Sequence, residues 1–135
     1  MDSLRLAEKL NSSAQQIGKK LAILIEINVG GEAAKSGTTP ESPELETLLR
    51  AAPRLGHLEF RGLMTVPPFS HDPQEARPYF RRLRELRNEI SARNLANVKM
   101  KVLSMGMSHD FEIAIEEGST CVRIGTAIFG ERAKP

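Results

Sequence analysis

The chain has 135 residues, of which 40% are hydrophobic and 27% charged, with a formal net charge of +2. This is the length of at most one domain and the composition of an ordinary globular protein. The small net charge, with five Phe, one Tyr and no Trp, argues against nucleic-acid binding, because a basic stripe and a base-stacking platform are both missing. No apolar run approaches the roughly 20 residues of a membrane span. The single Cys121 excludes an intrachain disulfide and favours a reducing, cytoplasmic compartment.

The first half of the chain alternates between helical and strand patterns. Apolar residues at helical spacing predict a first helix over about residues 3–17. Residues 21–29 then form a nearly continuous apolar run rich in β-branched side chains, which is typical of a strand buried on both faces of a parallel sheet. Ser42 and Pro43 provide a cap and a first-turn proline for a second helix, which Pro53 ends. The inner positions predicted for these helices are Leu6, Leu10, Ala14 and Ile17 in the first and Leu45, Leu48, Leu49 and Ala52 in the second.

The second half repeats the alternation. The predicted elements are, in chain order, a strand over 58–66, a helix over 73–93, a strand over 98–103, a turn over 104–108, a helix over 109–117, a strand over 120–124 and a short helical turn over 125–130. The inner positions predicted for the two helices are Tyr79, Leu83, Leu86 and Ile90 in the first and Phe111, Ala114 and Ile115 in the second. Within the longer helix, Glu89 and Arg93 stand in the order that favours an ion pair one turn apart.

This order of elements defines the fold class. A helix, three strand–helix units and a last strand predict an α/β protein with a parallel sheet and right-handed crossovers. Four strands fall well short of a closed (β/α) barrel, which has eight strands and about 250 residues. We therefore expect residues 1–135 to be part of a single TIM-type (β/α) barrel domain, or a truncated product of one.

Two of the predicted strand ends carry the chemistry of an anion site. Gly106, Met107 and Ser108 follow the third strand, and Gly125 and Thr126 follow the fourth. Each turn opens a helix, whose free N–H groups and positive dipole end stabilise an anion, and glycine lets the backbone approach a bulky oxyanion. In (β/α) barrels the phosphate site commonly follows the last two strands. Ser108 as a plain helix cap and Gly125 as a plain turn glycine remain the alternatives.

Arg123 lies inside the fourth predicted strand, between two apolar residues. A guanidinium in that position is costly without a partner. The sequence leaves two interpretations open: a structural ion pair, or a cation beside a cofactor ring.

Several collinear segments resemble one family. Residues 103–111, 118–120 and 122–130, read as Leu-Ser-Met-Gly-Met-Ser-His-Asp-Phe, Gly-Ser-Thr and Val-Arg-Ile-Gly-Thr-Ala-Ile-Phe-Gly, look like the C-terminal signature of the pyridoxal phosphate homeostasis proteins. Residues 27–37 and 61–64 agree with the same family. The family shares its barrel with the N-terminal domain of alanine racemases. The resemblance implies the C-terminal half of such a barrel and a non-catalytic, cytoplasmic protein that binds pyridoxal 5′-phosphate (PLP) and takes part in its homeostasis.

The resemblance also implies roles for individual residues. Ser108, Gly125 and Thr126 match the positions that hold the cofactor phosphate. Arg123 matches the arginine that faces the pyridine nitrogen, which it would keep unprotonated and so weaken the ring as an electron sink. The remaining matched positions are Met64 and Met107, expected as apolar lining or as plain core packing, and Gly106 in the phosphate-binding turn. No metal ligand and no catalytic residue is predicted.

The chain departs from the family in one respect that bears on the chemistry. The segment whose lysine forms the Schiff base with the cofactor does not occur in it, so only the phosphate end of the site is expected. Lys35 follows a strand end and could approach the cofactor, although an exposed loop lysine is the favoured interpretation.

Two other functional classes stay open. A racemase-like enzyme would need a second acid/base group, and His57, His71 and His109 are scattered along the chain. A ligand-free interaction module is the other class, because half a barrel exposes two sheet edges and an apolar face that favour self-association.

Overall fold

The computed structural model describes residues 1–131 as a curled half-barrel of four parallel strands flanked by helices. The strands are β1 (Leu21–Glu26), β2 (Leu58–Met64), β3 (Val98–Met107) and β4 (Cys121–Arg123), in the order β1-β2-β3-β4. The helices are α1 (Leu4–Gln16), α2 (Pro43–Ala51), α3 (Arg77–Ala92), α4 (Phe111–Glu116) and α5 (Thr126–Phe129), with 3-10 turns at Ala52–Arg54 and Pro73–Ala76. Every strand pairs with the next one along the chain. The predicted partial (β/α) barrel is confirmed, and residues 132–135 of the predicted domain lie outside the described residues.

The helix boundaries follow from local capping. The Ser42 hydroxyl accepts a hydrogen bond from the Leu45 N–H (3.2 Å) at the start of α2, and Pro43 is its first residue. At the end of α4, Gly118 adopts φ +96°. Its N–H donates to the Ile115 carbonyl, and the Ser119 N–H donates to the Ala114 carbonyl. This is the left-handed termination that a glycine makes possible.

The core lies between the sheet and the helices. Ile25, Leu63 and Leu103 are register neighbours on β1, β2 and β3, and each is fully buried. Leu48 of α2 and Leu83 of α3 are equally buried in the same cluster. Burying an aliphatic side chain of this size contributes on the order of 1.5–3 kcal/mol. This packing holds the strands in one register and so sets the relative positions of their C-terminal ends.

Some predicted inner faces are wrong by one residue. In the first turn of α3 the buried aromatic residue is Phe80, whereas Tyr79 is only partly buried. In α4 Ile113 is buried with Ala114, whereas Ile115 is 54% exposed. Adjacent helical positions lie about 100° apart, so two neighbouring apolar residues suit the periodicity almost equally. The surface against which the helix packs selects between them. In α1 the buried residues are Ala7 and Ala14, while Leu6 and Ile17 are exposed.

The third strand is longer than predicted. β3 continues through Met107 because Ser104 pairs with Met64 on β2 and Met107 pairs with Arg123 on β4. Gly106 therefore lies in a strand rather than a turn, at φ +95°. A Cβ atom at Gly106 would lie 2.5 Å from the Cβ of Ala114. Glycine is thus required for the close contact between β3 and α4.

Candidate functional site

A cavity of about 810 Å³ opens at the C-terminal edge of the sheet. Its wall is made by the three segments that follow β2, β3 and β4, which are residues 66–73, 107–110 and 125–131. Much of this wall is apolar, with Val66, Phe69 and Phe129 among its side chains. This is the edge at which parallel α/β folds bind ligands, because the strands there hand over to loops.

The polar part of the cavity is organised around one hydroxyl. Ser108 Oγ accepts hydrogen bonds from the main-chain N–H groups of Gly125 (3.0 Å) and Ala127 (3.2 Å). The turns after β3 and β4 are therefore in direct contact. Helix α4 begins only at Phe111, so the alternative role of Ser108 as the cap of that helix is wrong.

Asp110 shapes the turn that carries Ser108. Its Oδ1 accepts a hydrogen bond from the Met107 N–H (2.7 Å), and its own N–H donates to the Met107 carbonyl (3.1 Å). The carboxylate thus closes a tight turn between β3 and α4. A short polar side chain that bonds nearby backbone in this way is a common turn-forming device.

This donor set suits a phosphate group. Two main-chain N–H groups converge on one point, and a serine hydroxyl lies at that point. Backbone amides and hydroxyls donate hydrogen bonds to phosphate oxygens without bringing a titrating charge. A Cβ atom built on Gly125 would meet nothing within 4 Å, so the space beside this turn is open.

Arg123 is held across the sheet rather than in an ion pair. Its Nη1 donates to Ser104 Oγ (2.5 Å) and its Nη2 to the Thr65 carbonyl (2.7 Å). Thr65 is fully buried and donates its own hydroxyl to the Ile27 carbonyl (2.6 Å). Both recorded partners of the guanidinium are neutral oxygens of residues within the described chain. Within residues 1–131 Arg123 therefore forms no structural ion pair, and that interpretation is wrong for the described part of the chain.

The predicted site residues divide into two groups. The cavity wall contains Met107, Ser108, Gly125 and Thr126. The other group lies on the strands outside that wall and comprises Met64, Gly106 and Arg123. Met64 is partly buried, and Gly106 is buried beneath α4.

Lys35 is more constrained than a free loop lysine. Its Nζ lies 2.9 Å from Glu32 Oε1 and donates a hydrogen bond to the Pro67 carbonyl (3.3 Å). Pro67 belongs to the cavity wall, and the Lys35 side chain is only 35% exposed. Lys35 is thus a loop lysine, as favoured from the sequence, but it is partly buried and contacts one residue of the cavity wall.

Several residues of this region were not predicted from the sequence. Phe69 is 75% exposed, and its ring centroid lies 5.4 Å from that of His71 and 5.6 Å from that of His109. Ser104 and Thr65, which hold Arg123, were also missed. The Ser104 hydroxyl, in a strand that is otherwise mostly apolar, is the signal that could have identified that residue, whereas Thr65 acts through its main-chain carbonyl, which residue type does not reveal.

Two kinds of feature are absent from residues 1–131. No group of three or more His, Cys, Asp or Glu side chains is arranged to hold a metal ion. None of the helices there combines the length and apolar character needed to cross a membrane.

Comparisons with known proteins place this geometry in a family. The sequence profile described as "Alanine racemase, N-terminal domain" matches residues 1–133. A pyridoxal phosphate homeostasis protein of Aquifex aeolicus is 48% identical over 132 residues, which are 98% of this chain and 56% of that protein. The structure of PipY from Synechococcus elongatus with PLP bound has a TM-score of 0.82 at 29% identity, covering 96% of this chain and 58% of that one.

A more distant structure shares the fold alone. An alanine racemase of Clostridium difficile 630 has a TM-score of 0.70 at 19% identity, covering 99% of this chain and 34% of that one. This chain spans about half the length of the curated relatives that it matches. The resemblance predicted from the sequence is confirmed. The chain belongs to the alanine racemase N-terminal domain family and is similar, within it, to the pyridoxal phosphate homeostasis proteins.

Proposed function

We propose that this chain holds the phosphate end of a PLP site and that the whole protein takes part in intracellular PLP homeostasis. One observation carries the proposal: the Gly125 and Ala127 N–H groups converge on Ser108 Oγ where two neighbouring strands end. The similarity to proteins named for pyridoxal phosphate homeostasis, and to PipY with PLP bound, supports PLP as the ligand. Residues 1–135 form the C-terminal part of a single barrel domain in this proposal.

In this proposal the turns after β3 and β4 bind the phosphate. The main-chain N–H groups of Gly125 and its neighbours supply fixed donors, and the hydroxyls of Ser108 and Thr126 supply adjustable ones. These groups would surround a doubly negative ester. Gly106 turns the end of β3 so that Ser108 faces the fourth strand.

In this proposal Arg123 and apolar side chains contact the ring. PLP, when bound, supplies an aldehyde and an electron-accepting ring. A guanidinium is a hydrogen-bond donor and not an acceptor, so Arg123 would donate to the ring nitrogen and leave it unprotonated. Met64 and Met107 provide polarisable apolar contacts. A ring held in this way is a weak electron sink, which suits a carrier more than a catalyst.

A racemase-like enzyme is the second candidate. Its fold is shared with an alanine racemase, and His109 lies in the cavity wall beside Ser108, where an acid/base group would be needed. Measurable racemisation of alanine by the full-length protein, abolished by His109→Ala, would favour this candidate over the homeostasis protein.

The proposed compartment is the cytoplasm, and the proposed state of assembly is a self-associated one. A reducing cytoplasm suits the exposed, free thiol of Cys121. Self-association through the open side of the half-barrel is also proposed, since an unpaired strand edge attracts another chain.

The test is a comparison of ligands that share parts of PLP. Equilibrium titration should show that PLP binds, that inorganic phosphate competes with it, and that pyridoxal, which lacks the phosphate, binds at least about tenfold more weakly. Equal binding of PLP and pyridoxal, or no competition by phosphate, would refute the phosphate grip.

Lys35 provides a second readout. We expect little imine absorbance when this chain is mixed with PLP, because Lys35 is committed to Glu32 and Pro67. A strong, saturable imine signal that disappears in Lys35→Ala would instead make Lys35 a covalent anchor.

A further inference from the structure

We propose that Ser104 is a positioning residue, whose hydroxyl fixes one orientation of the Arg123 guanidinium towards the ring of a bound pyridoxal phosphate. The proposal rests on the function proposed above. It concerns a side chain that would not touch the ligand and would act through Arg123.

Arg123 needs such support because of where it lies. β4 has three residues and is the last strand in the sheet order, so its backbone is paired with β3 alone among the described strands. An arginine side chain also has about 2 kcal/mol of rotamer entropy to lose when it is ordered. A guanidinium on so short a strand would therefore sample several orientations unless the neighbouring strands held it.

The inner strands supply two contacts of different kinds. Nη1 donates to Ser104 Oγ on β3, and Nη2 donates to the Thr65 carbonyl just after β2. Two bonds to different nitrogens fix the plane of a rigid, planar group, and three of its five N–H donors remain for other acceptors. Ser104 is 4% exposed and Thr65 is fully buried, so water is poorly placed to replace either acceptor.

Ser104 is the only side chain in this pair of contacts, because Thr65 contributes its main-chain carbonyl. Substitution at position 104 therefore removes one contact and leaves the other. Ser119 offers a matched control on the same part of the sheet. Its hydroxyl lies within hydrogen-bonding distance of the carbonyls of Met105 (2.7 Å), Cys121 (3.2 Å) and Leu103 (3.3 Å), whereas the described bonds of Arg123 go to Ser104 and Thr65.

The experiment compares the 135-residue chain with Ser104→Ala, Ser104→Thr and Ser119→Ala. The probes are pyridoxine 5′-phosphate, which has the ring and phosphate but no aldehyde, and inorganic phosphate. Affinities are measured by titration, and the ring-nitrogen pKa of bound pyridoxine 5′-phosphate by ultraviolet absorbance against pH. Circular dichroism establishes that each variant is folded.

We expect Ser104→Ala to weaken pyridoxine 5′-phosphate about tenfold, the effect of losing one hydrogen bond to a charged group, while inorganic phosphate binds as before. The ring-nitrogen pKa should rise towards that of the free ligand. Ser104→Thr keeps the hydroxyl and should restore both values, and Ser119→Ala should change neither.

The inference would be overturned if Ser104→Ala left the affinity for pyridoxine 5′-phosphate and the ring-nitrogen pKa unchanged, or if it weakened inorganic phosphate to the same extent. It would also be overturned if Ser119→Ala produced the same losses, or if a folded Ser104→Thr did not restore the wild-type values. In each of these the wild-type chain still binds pyridoxine 5′-phosphate, so only the positioning role fails. A wild-type chain that binds neither probe would remove the proposed function itself.

Discussion

At the scale of single residues, Ser108 occupies the place expected for a ligand oxygen. Its Oγ accepts from Gly125 and Ala127 in the same way as a phosphate oxygen would. A phosphate that takes these donors displaces the hydroxyl from at least one of them, and the hydroxyl can then donate to the phosphate. We therefore propose that Ser108 satisfies the turn without ligand and would contribute a donor to a bound phosphate.

Replacing Ser108 by alanine tests this role. We expect Ser108→Ala to lower the affinity for PLP about tenfold, because one hydrogen bond to a charged group is lost. Isothermal titration measures the change, and Ser91→Ala, at an exposed position on α3, serves as the control. Equal or tighter binding in Ser108→Ala would contradict the role.

Gly62 is a residue whose identity is dictated by the neighbouring strand. A Cβ atom on Gly62 would lie 1.9 Å from the Val102 carbonyl oxygen, and both residues belong to paired central strands. Gly62→Ala should cost at least about 2 kcal/mol of unfolding free energy, because neither backbone can move without disrupting the ladder. Urea denaturation measures it. Gly56→Ala, where the added atom meets nothing within 4 Å, should be close to neutral.

At the scale of elements, α3 is attached to its neighbours by ion pairs that sequence spacing does not reveal. The predicted pair between Glu89 and Arg93 is wrong, because Arg93 contacts Glu46 on α2 (2.9 Å) and Glu89 contacts Arg82. Hydrogen bonds from Arg93 and then Arg50 lower the pKa of Glu46 to about 2. Arg93 therefore pairs with Glu46 on another helix rather than with Glu89, which lies one helical turn away.

Glu117 also joins α3 to a neighbouring element by ion pairs, and its side chain is more buried than that of Glu46. Arg77, Arg81 and Arg84 of α3 all lie within 3.2 Å of its carboxylate, whose side chain is 6% exposed. The hydrogen bond from Arg81, followed by that from Arg77, lowers the pKa of Glu117 below its ordinary value of 4.5. A carboxylate with a lowered folded-state pKa stabilises the fold above its unfolded pKa, and that stability is lost as the pH falls through the folded value.

The prediction is that Glu117→Gln destabilises the chain by about 1–3 kcal/mol at neutral pH, since three guanidinium groups lose a charged acceptor. The difference from wild type should shrink as the pH falls below 4.5. Chemical denaturation at a series of pH values measures both. Glu116→Gln, which removes a single pair at a 59% exposed carboxylate, is the control, and an equal loss there would refute the central role of Glu117.

At the scale of the whole molecule, the open face of the sheet is mixed rather than apolar. It carries the exposed charged residues Arg61, Lys99 and Lys101 together with the partly buried Leu24, Met64 and Val102. One edge is also partly occupied, because the Glu26 N–H of β1 donates to the Met1 carbonyl (2.9 Å). The two expected edges are present, because β1 and β4 stand at the ends of the sheet order, whereas the expectation of an apolar face is wrong.

Self-association remains a prediction for the 135-residue chain. The β4 edge and the apolar residues of the open face should pair with a second copy, because an unpaired edge and half-buried aliphatic groups both gain from contact. Sedimentation velocity over a range of concentrations should show a dimer. A stable, well-folded monomer at every concentration would count against it.

The class of fold, the order and approximate bounds of most elements, and the family could all be predicted from the sequence. Periodicity, capping residues such as Ser42 and the terminating Gly118 act within a few neighbouring residues, so they can be predicted without knowing the rest of the chain. The glycine and hydroxyl residues after β3 and β4 were identified for the same reason.

Three features could be known only from the folded chain: which of two adjacent apolar residues is buried, how far β3 extends, and what holds Arg123. Phe80 and Tyr79 differ by one helical position, and the contact surface of the sheet selects between them. Ser108 and Gly125 are 17 residues apart in sequence, and Arg123 and Thr65 are 58 apart. Their contacts depend on the register of several strands at once, which no local pattern specifies.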